Sequence, residues 1–276
     1  MDLLKRVISA AVMIAIVLSA IFIGSITTLI LVCAICFLAM FDMVNALEKG
    51  GFKPNKIVLL IATALIYPAV AFLGTKGIII LPALTFFVLA ICTVFQKEVD
   101  IKTLISSSFT LIYPLLPAML LVVLANNDLS DPTRQGIFLI FGAALCATLS
   151  DTFAYFIGIA IGKRKLCPQI SPKKTVAGSV GGFIGGTIGG GTMYVLSLYM
   201  HNTSIDLVHW LAIGFACGAF AQIGDLTASL IKRFCNVKDY GNYIPGHGGI
   251  MDRMDSIILC FIAMVAYVEI FVMRIL

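Results

Sequence analysis

The stretch from Ser229 to Asp255 crowds Asp239, Asp252 and Asp255 together with Lys232, Arg233, Lys238 and Arg253 around a Gly246-His247-Gly248-Gly249 turn. Asp225 and Ser229 are four apart just ahead of the turn, and Asp252 and Asp255 are three apart, spacings that put each pair on one helix face. Strongly apolar sequence flanks the cluster, and charged side chains kept beside hydrocarbon must pair, hold an ion or meet a charged ligand. Carboxylates from Asp225, Asp252 and Asp255 brought together would repel one another at neutral pH, and a hard divalent cation relieves that repulsion. Mg²⁺ suits such a set, because it takes one or two carboxylates plus substrate phosphates and keeps water in its other positions. The competing arrangement, in which each Asp pairs with a nearby Lys or Arg, is available to one of them through Arg253 but does not serve all three comfortably.

A second basic set, Lys163, Arg164, Lys165, Lys173 and Lys174, follows Asp151. Attraction to anionic lipid explains a polybasic face beside a membrane, but not the company these charges keep. In Ser171-Pro172-Lys173-Lys174-Thr175 hydroxyls flank ammonium groups, a combination suited to phosphate oxygens. Gly246, Gly248 and Gly249 let backbone amides approach a phosphate closely. Turn, lysines and carboxylates together describe a site for a metal-bound polyphosphate. Such a site performs phosphoryl or nucleotidyl transfer, in which the protein positions substrates and neutralises charge. An attacking phosphate monoester is already ionised and needs little base catalysis, so His247 is assigned to binding or orientation.

The elements that position these groups cross a membrane. The chain is 60% hydrophobic and 12% charged with a mean hydropathy of +1.06, against about 25% charged for a soluble domain. A crossing of roughly 30 Å of hydrocarbon needs about 20 apolar residues. Nine stretches qualify, at about 7–24, 26–45, 57–74, 77–95, 104–125, 136–160, 179–200, 207–231 and 256–274. The fold expected is an all-α polytopic bundle of about nine transmembrane helices. Lys5 and Arg6 ahead of the first run resemble the start of a signal peptide, but no soluble domain follows. With the N-terminus in the cytoplasm, the loops divide the 19 Lys and Arg so that only Lys76, Arg134 and Arg274 lie outside, in agreement with the positive-inside rule.

The net charge of +5 is therefore mainly topological. With a single Trp and no basic run interleaved with aromatics, nothing suggests a nucleic-acid platform. Most of the eight cysteines fall in apolar spans, Cys33 and Cys36 included, and are expected as free thiols. Residues 1–135 read as a transmembrane scaffold and 136–276 as a catalytic region, within one integrated membrane domain. Asp42 and the Tyr67-Pro68 and Tyr113-Pro114 pairs are the exceptions in the scaffold, the prolines being expected to kink helices. Glycine pairs recur every four residues from Gly178 to Gly191. A phosphate-cradling loop is one reading, but period four favours a helix face made for close packing. The same face offers a surface for a homodimer.

The run Ser229-x-Ile231-Lys232-Arg233, then Lys238-Asp239-x-Gly241, then Ile244-Pro245-x-His247-Gly248-Gly249-Ile250-x-Asp252-Arg253-Met254-Asp255 resembles the long signature of the phosphatidate cytidylyltransferases, or CDP-diacylglycerol synthases. Ser150-Asp151-Thr152-x-Ala154-Tyr155, Gly158 and Ser171–Thr175 resemble that family's second cytoplasmic segment, so the likeness covers roughly 150–256. Ala177 and Ala228 stand where the family often has Glu, which questions a glutamate role rather than the activity. The resemblance implies Mg²⁺-dependent condensation of CTP with phosphatidate to CDP-diacylglycerol and pyrophosphate, facing the cytoplasm. Asp225, Asp252 and Asp255 would hold the metal, with Lys232 and His247 beside them. Asp151, Ser171, Lys173, Lys174, Thr175, Ser229, Arg233, Lys238, Asp239, Gly248, Gly249 and Arg253 would contact the substrates. The choice of cytosine comes wholly from the family. Two competitors remain: transfer to another lipid phosphate, and an ion-coupled transporter using Asp151 and Asp225, against which their place at one membrane edge counts.

Overall fold

Backbone groups in hydrocarbon must bond within their own segment, and the described residues of each stretch that hydropathy marks are mainly helical. The computed structural model describes residues 2–97, 99–131, 134–200 and 204–272, with the side chains of residues 2–6 set aside. Arg274 and the side chains of Lys5 and Arg6, used in the reading of loops above, lie outside the described residues.

The first helices are α1 (Asp2–Ile23) and α2 (Ser25–Lys49). The third stretch is broken at Leu65 into α3 (Lys56–Ala64) and α4 (Ile66–Leu73), and Pro68 sits in the first turn of α4, where its missing N–H costs no helical bond. A 3₁₀ turn, Gly74–Lys76, leads to α5 (Gly77–Val94). Gly77 abuts the backbone of Ala69 and Val70, so the chain reverses there and α5 folds back on α4. The fifth stretch is α6 (Ile101–Thr110), a π turn at Leu111–Leu115 in which Tyr113 leaves helical geometry before Pro114, and α7 (Leu116–Asn127). Then come α8 (Gln135–Ile161), an antiparallel pair β1 (Lys165–Cys167) and β2 (Ser171–Thr175), α9 (Val176–Tyr199), α10 (Leu207–Phe234) and α11 (Met251–Phe271). Among the described residues six helical stretches are long and apolar enough to span a bilayer: α2, Ile66–Val94, Ile101–Asn127, α8, α10 and α11. The apolar part of α1, Val7–Ile23, is shorter, and glycine dilutes the hydropathy of α9.

The chain forms two compact units, Met1–Pro132 with Lys232–Met254, and Thr133–Ile231 with Asp255–Leu276. In the first, α2 packs against α1, α3 and α7 around Met40, Met43, Val44, Leu59 and Met119, all fully buried. The segment after α10 is anchored there by Phe52 stacked on Phe234 at 5.7 Å and by Gly50 against Cys235. In the second, α9 is clasped on two faces. Gly181, Gly185 and Gly189 lie against α8 at Phe153, Leu149 and Cys146, while Gly186 and Gly190 lie against α10 at Gly214, Gly218 and Trp210. The recurring glycines are therefore helix-packing positions within the chain, and those two faces are occupied. All eight cysteines are free thiols.

Candidate functional site

In the first unit the signature segment is organised by two carboxylates. Asp252, in the first turn of α11 with its side chain 4% exposed, accepts from Lys232 Nζ through Oδ1 at 3.0 Å. Its Oδ2 accepts from the backbone N–H of Tyr240 at 2.8 Å and of Gly249 at 3.0 Å. Asp42, buried in α2, accepts from the Met251 N–H at 3.0 Å and from the Tyr243 hydroxyl. Free N–H groups at a helix start favour a carboxylate, and Asp42 supplies one from about two hundred residues away, as the 209-residue separation records. Burial first, then the bond to Asp42, pushes the Tyr243 phenol well above its usual range, so it stays a donor.

The glycines of this segment serve the same two acids. Ile244-Pro245-Gly246-His247 closes with His247 N–H on the Ile244 carbonyl at 3.0 Å, Gly246 at φ 76°, the pattern of a turn with Pro second and Gly third. Gly248, at φ 78°, and Gly249 leave no room for a Cβ beside Asp252 and Asp42 respectively. The amide of Gly249 is thus spent on Asp252 rather than left free for a phosphate. His247 Nδ1 lies 2.7 Å from Ser9 Oγ in α1, which also donates to the Pro245 carbonyl at 3.0 Å. Arg233, Lys238, Asp239 and Arg253 are exposed around the segment. A cavity of about 430 Å³ opens beside it, between Phe41, Asn45 and Glu48 of α2 and Tyr240 and Tyr243.

In the second unit Asp225 of α10 meets Lys174 Nζ at 2.6 Å, an ion contact without hydrogen-bond alignment, and accepts from Ser229 Oγ at 3.3 Å. Asp151 of α8 is bonded by the Ser256 hydroxyl and feels the charges of Asp225 and Lys174. At Gly224 α10 presses on α11, where a Cβ would come within 2.5 Å of the Asp255 carbonyl oxygen, so the turn carrying Asp225 runs beside Asp255. Asp255 itself accepts from the Ser256 N–H at 2.9 Å. Strand β2 carries Ser171, half-buried, and Lys173, exposed, and delivers Lys174 to Asp225. Thr175 ends the strand as the N-cap of α9, accepting from the Gly178 N–H at 3.1 Å, so its hydroxyl is committed to the helix.

Two carboxylates beside a single lysine leave net negative charge and hard oxygen donors, which fit Mg²⁺ completed by substrate phosphates. Among the described residues no three His, Cys, Asp or Glu side chains are grouped closely enough to hold a metal alone. Sequence reasoning left Asp42, Tyr240 and Tyr243 without a role. The readable signal was an acidic residue in an apolar span, which is expensive unless it has a partner.

Comparison with known proteins gives matches that extend over nearly all of the chain or about half of it. The sequence pattern of the cytidylyltransferase family matches residues 4–271. The phosphatidate cytidylyltransferase of Bacillus subtilis is 31% identical over 270 residues, covering 92% of this chain and 93% of that protein. That of Haemophilus influenzae is 33% identical over 159 residues, 54% of this chain and 51% of its own, and that of Staphylococcus saprophyticus 39% over 133 residues, 46% and 48%.

Proposed function

Since the chain belongs to the cytidylyltransferase family, we propose that it condenses CTP with phosphatidate to give CDP-diacylglycerol and pyrophosphate. The observation that carries the reading is the 31% identity extending over nearly all of both chains to a protein named for this activity. A phosphatidate oxygen attacks the α-phosphorus of CTP, the new P–O bond forms as the bond to the β-phosphate breaks, and pyrophosphate leaves with the electron pair.

Within the chain, Lys174 and Lys173 on β2 bind phosphate oxygens, and Asp225 holds Lys174 in place at 2.6 Å. Lys232, Arg233 and Arg253 neutralise phosphate charge around the signature turn, and His247 orients a phosphate there. Asp225 and Asp255, with Asp151 beside Asp225, would hold Mg²⁺ together with substrate phosphates, and the ion would supply charge neutralisation on the transferring phosphate. Asp252 is committed within its own unit, Oδ1 to Lys232 and Oδ2 to the amides of Tyr240 and Gly249. The site faces the cytoplasm, as the distribution of lysine and arginine among the loops indicates. Any homodimer uses a face other than the two glycine faces of α9, which are filled by α8 and α10.

The test is direct. Purified protein given labelled CTP, phosphatidate and Mg²⁺ is expected to form a CDP-lipid and release pyrophosphate, with chelation of the metal stopping turnover. Absence of product from folded protein, across several lipid phosphates and all four nucleotides, overturns the reading.

A further inference from the structure

The cavity beside α2 is unlike the lipid-facing surface around it. Its volume of about 430 Å³ lies in the range of small-molecule sites, roughly 300–1,000 Å³. Three of the nine residues that line it are aromatic, Phe41 from α2 and Tyr240 and Tyr243 from the signature segment, set among Asp42, Lys49 and Asn242, and Tyr240 is held by its N–H on Asp252. Flat aromatic walls suit a planar ring.

One edge of the cavity carries a defined pattern of hydrogen-bonding groups. Asn45 and Glu48 are three apart on α2 and share a face with Phe41. Lys56 gathers all three: its Nζ donates to Asn45 Oδ1 at 2.6 Å and to Glu48 Oε2 at 3.4 Å, and lies 4.8 Å from the Phe41 ring centre. An ammonium only donates, so the carbonyl side of the Asn45 amide faces Lys56 and its NH₂ is the side left over. The carboxylate of Glu48 keeps Oε1 as an acceptor. The edge therefore offers one donor next to one anionic acceptor.

We propose that this cavity is the nucleobase pocket and that Asn45 and Glu48 read an aminopyrimidine edge, Glu48 accepting from the exocyclic amine and Asn45 donating to the adjacent ring nitrogen. The inference rests on the nucleotidyltransferase reading and supplies what that reading lacks, a source of base choice in named residues. Uracil reverses both groups, setting a carbonyl against the carboxylate and an N–H against the NH₂, and unmatched polar groups are what a hydrogen-bonding site rejects most strongly. Adenine carries the cytosine-like edge on a larger ring, so its exclusion falls to the aromatic walls. Lys232, 5.3 Å from the Tyr240 ring centre, places a cation for the phosphates next to the pocket wall.

The test uses full-length protein in detergent micelles and separates binding from turnover. Equilibrium dialysis measures labelled CTP and its displacement by UTP for the wild type, Glu48→Gln and Asn45→Asp; CDP-lipid formation is measured in parallel. Glu48 is a partly exposed side chain, so Glu48→Gln tests the pocket without endangering the fold. Loss of the charge-assisted bond in Glu48→Gln, and replacement of the donor by a carboxylate facing the ring nitrogen in Asn45→Asp, are each expected to weaken CTP binding on the order of 10-fold to 100-fold. Preference over UTP should narrow, and the KM for phosphatidate should stay at the wild-type value. Wild-type CTP affinity and base preference in both variants overturn the pocket while leaving the activity standing. Variant-sensitive CTP binding by a protein that makes no CDP-lipid keeps the pocket and overturns the activity.

Discussion

Asp225 and Asp252 have the same chemistry in sequence and different surroundings in the fold. Asp252 is enclosed and carries three hydrogen bonds, one from a lysine that is itself 14% exposed. Asp252→Asn leaves that lysine without its counter-charge, and breaking a buried pair from one side costs about 3 kcal/mol or more. Asp225 is 29% exposed and takes one further bond, from Ser229, so although the ammonium end of its lysine is buried, Asp225→Asn should cost less than Asp252→Asn. The expected outcome is that both variants lose turnover but only Asp252→Asn unfolds at a clearly lower temperature in detergent. Equal, wild-type-like midpoints would remove Asp252 from the role of organising the segment. The residue types of the site were legible because acids and lysines stand out against apolar sequence. Their division between chemistry and architecture was not. Nothing in Met251, Gly249 or Tyr240 announces that their amides converge on Asp42 and Asp252, because those contacts span from three to 209 residues of chain and form only when the loop closes.

At the scale of elements, α9 is specified by what it lacks. Its glycine pairs advance by four, so they form two adjacent stripes rather than one, and the structure spends one stripe on α8 and the other on α10. The period of four was readable as close packing; the two partners were not, because α8 carries no comparable repeat and the Gly214 and Gly218 pair of α10 does not say which helix it meets. A methyl at Gly190 collides with the carbonyl of Trp210, which as helix backbone cannot swing aside, whereas one at Gly191 meets only the Leu211 side chain at 3.6 Å. Gly190→Ala is therefore expected to destabilise by about 1–3 kcal/mol, the usual range for overpacking, and Gly191→Ala to be near neutral. Thermal unfolding of the pair in one detergent checks this, and a neutral Gly190→Ala would mean that α9 and α10 separate more readily than their contact implies. The hairpin β1–β2 is the element that hydropathy could not reveal. It is short and polar, and its function is to turn Ser171–Thr175 into an extended strand that carries Lys174 to Asp225 and ends by capping α9.

At the scale of the whole molecule, charge and hydropathy together predict how often the chain crosses the bilayer, and the stretch from Ile66 to Val94 is where that prediction is tested hardest. By length and composition it qualifies as one crossing of 29 residues, which would leave Lys76 deep in hydrocarbon at a cost of several kcal/mol, of order 3 on insertion scales. The close approach of Gly77 to Ala69 and Val70 resolves the conflict by folding α5 back on α4, so that Lys76 lies at a membrane surface between two passes. With the N-terminus cytoplasmic, that surface is the outer one, and the loop containing Lys102 is inner. Cysteines introduced at Lys76 and Lys102 should consequently react with a membrane-impermeant maleimide from opposite sides: Lys76→Cys in right-side-out vesicles, Lys102→Cys only in inverted ones. Most native thiols are enclosed in the bundle and give a low background. Labelling of both positions from the same side would mean that α5 does not cross, which reverses the sidedness of every later loop relative to the first two spans and takes Lys173, Lys174 and Asp225 away from the compartment in which CTP is made available.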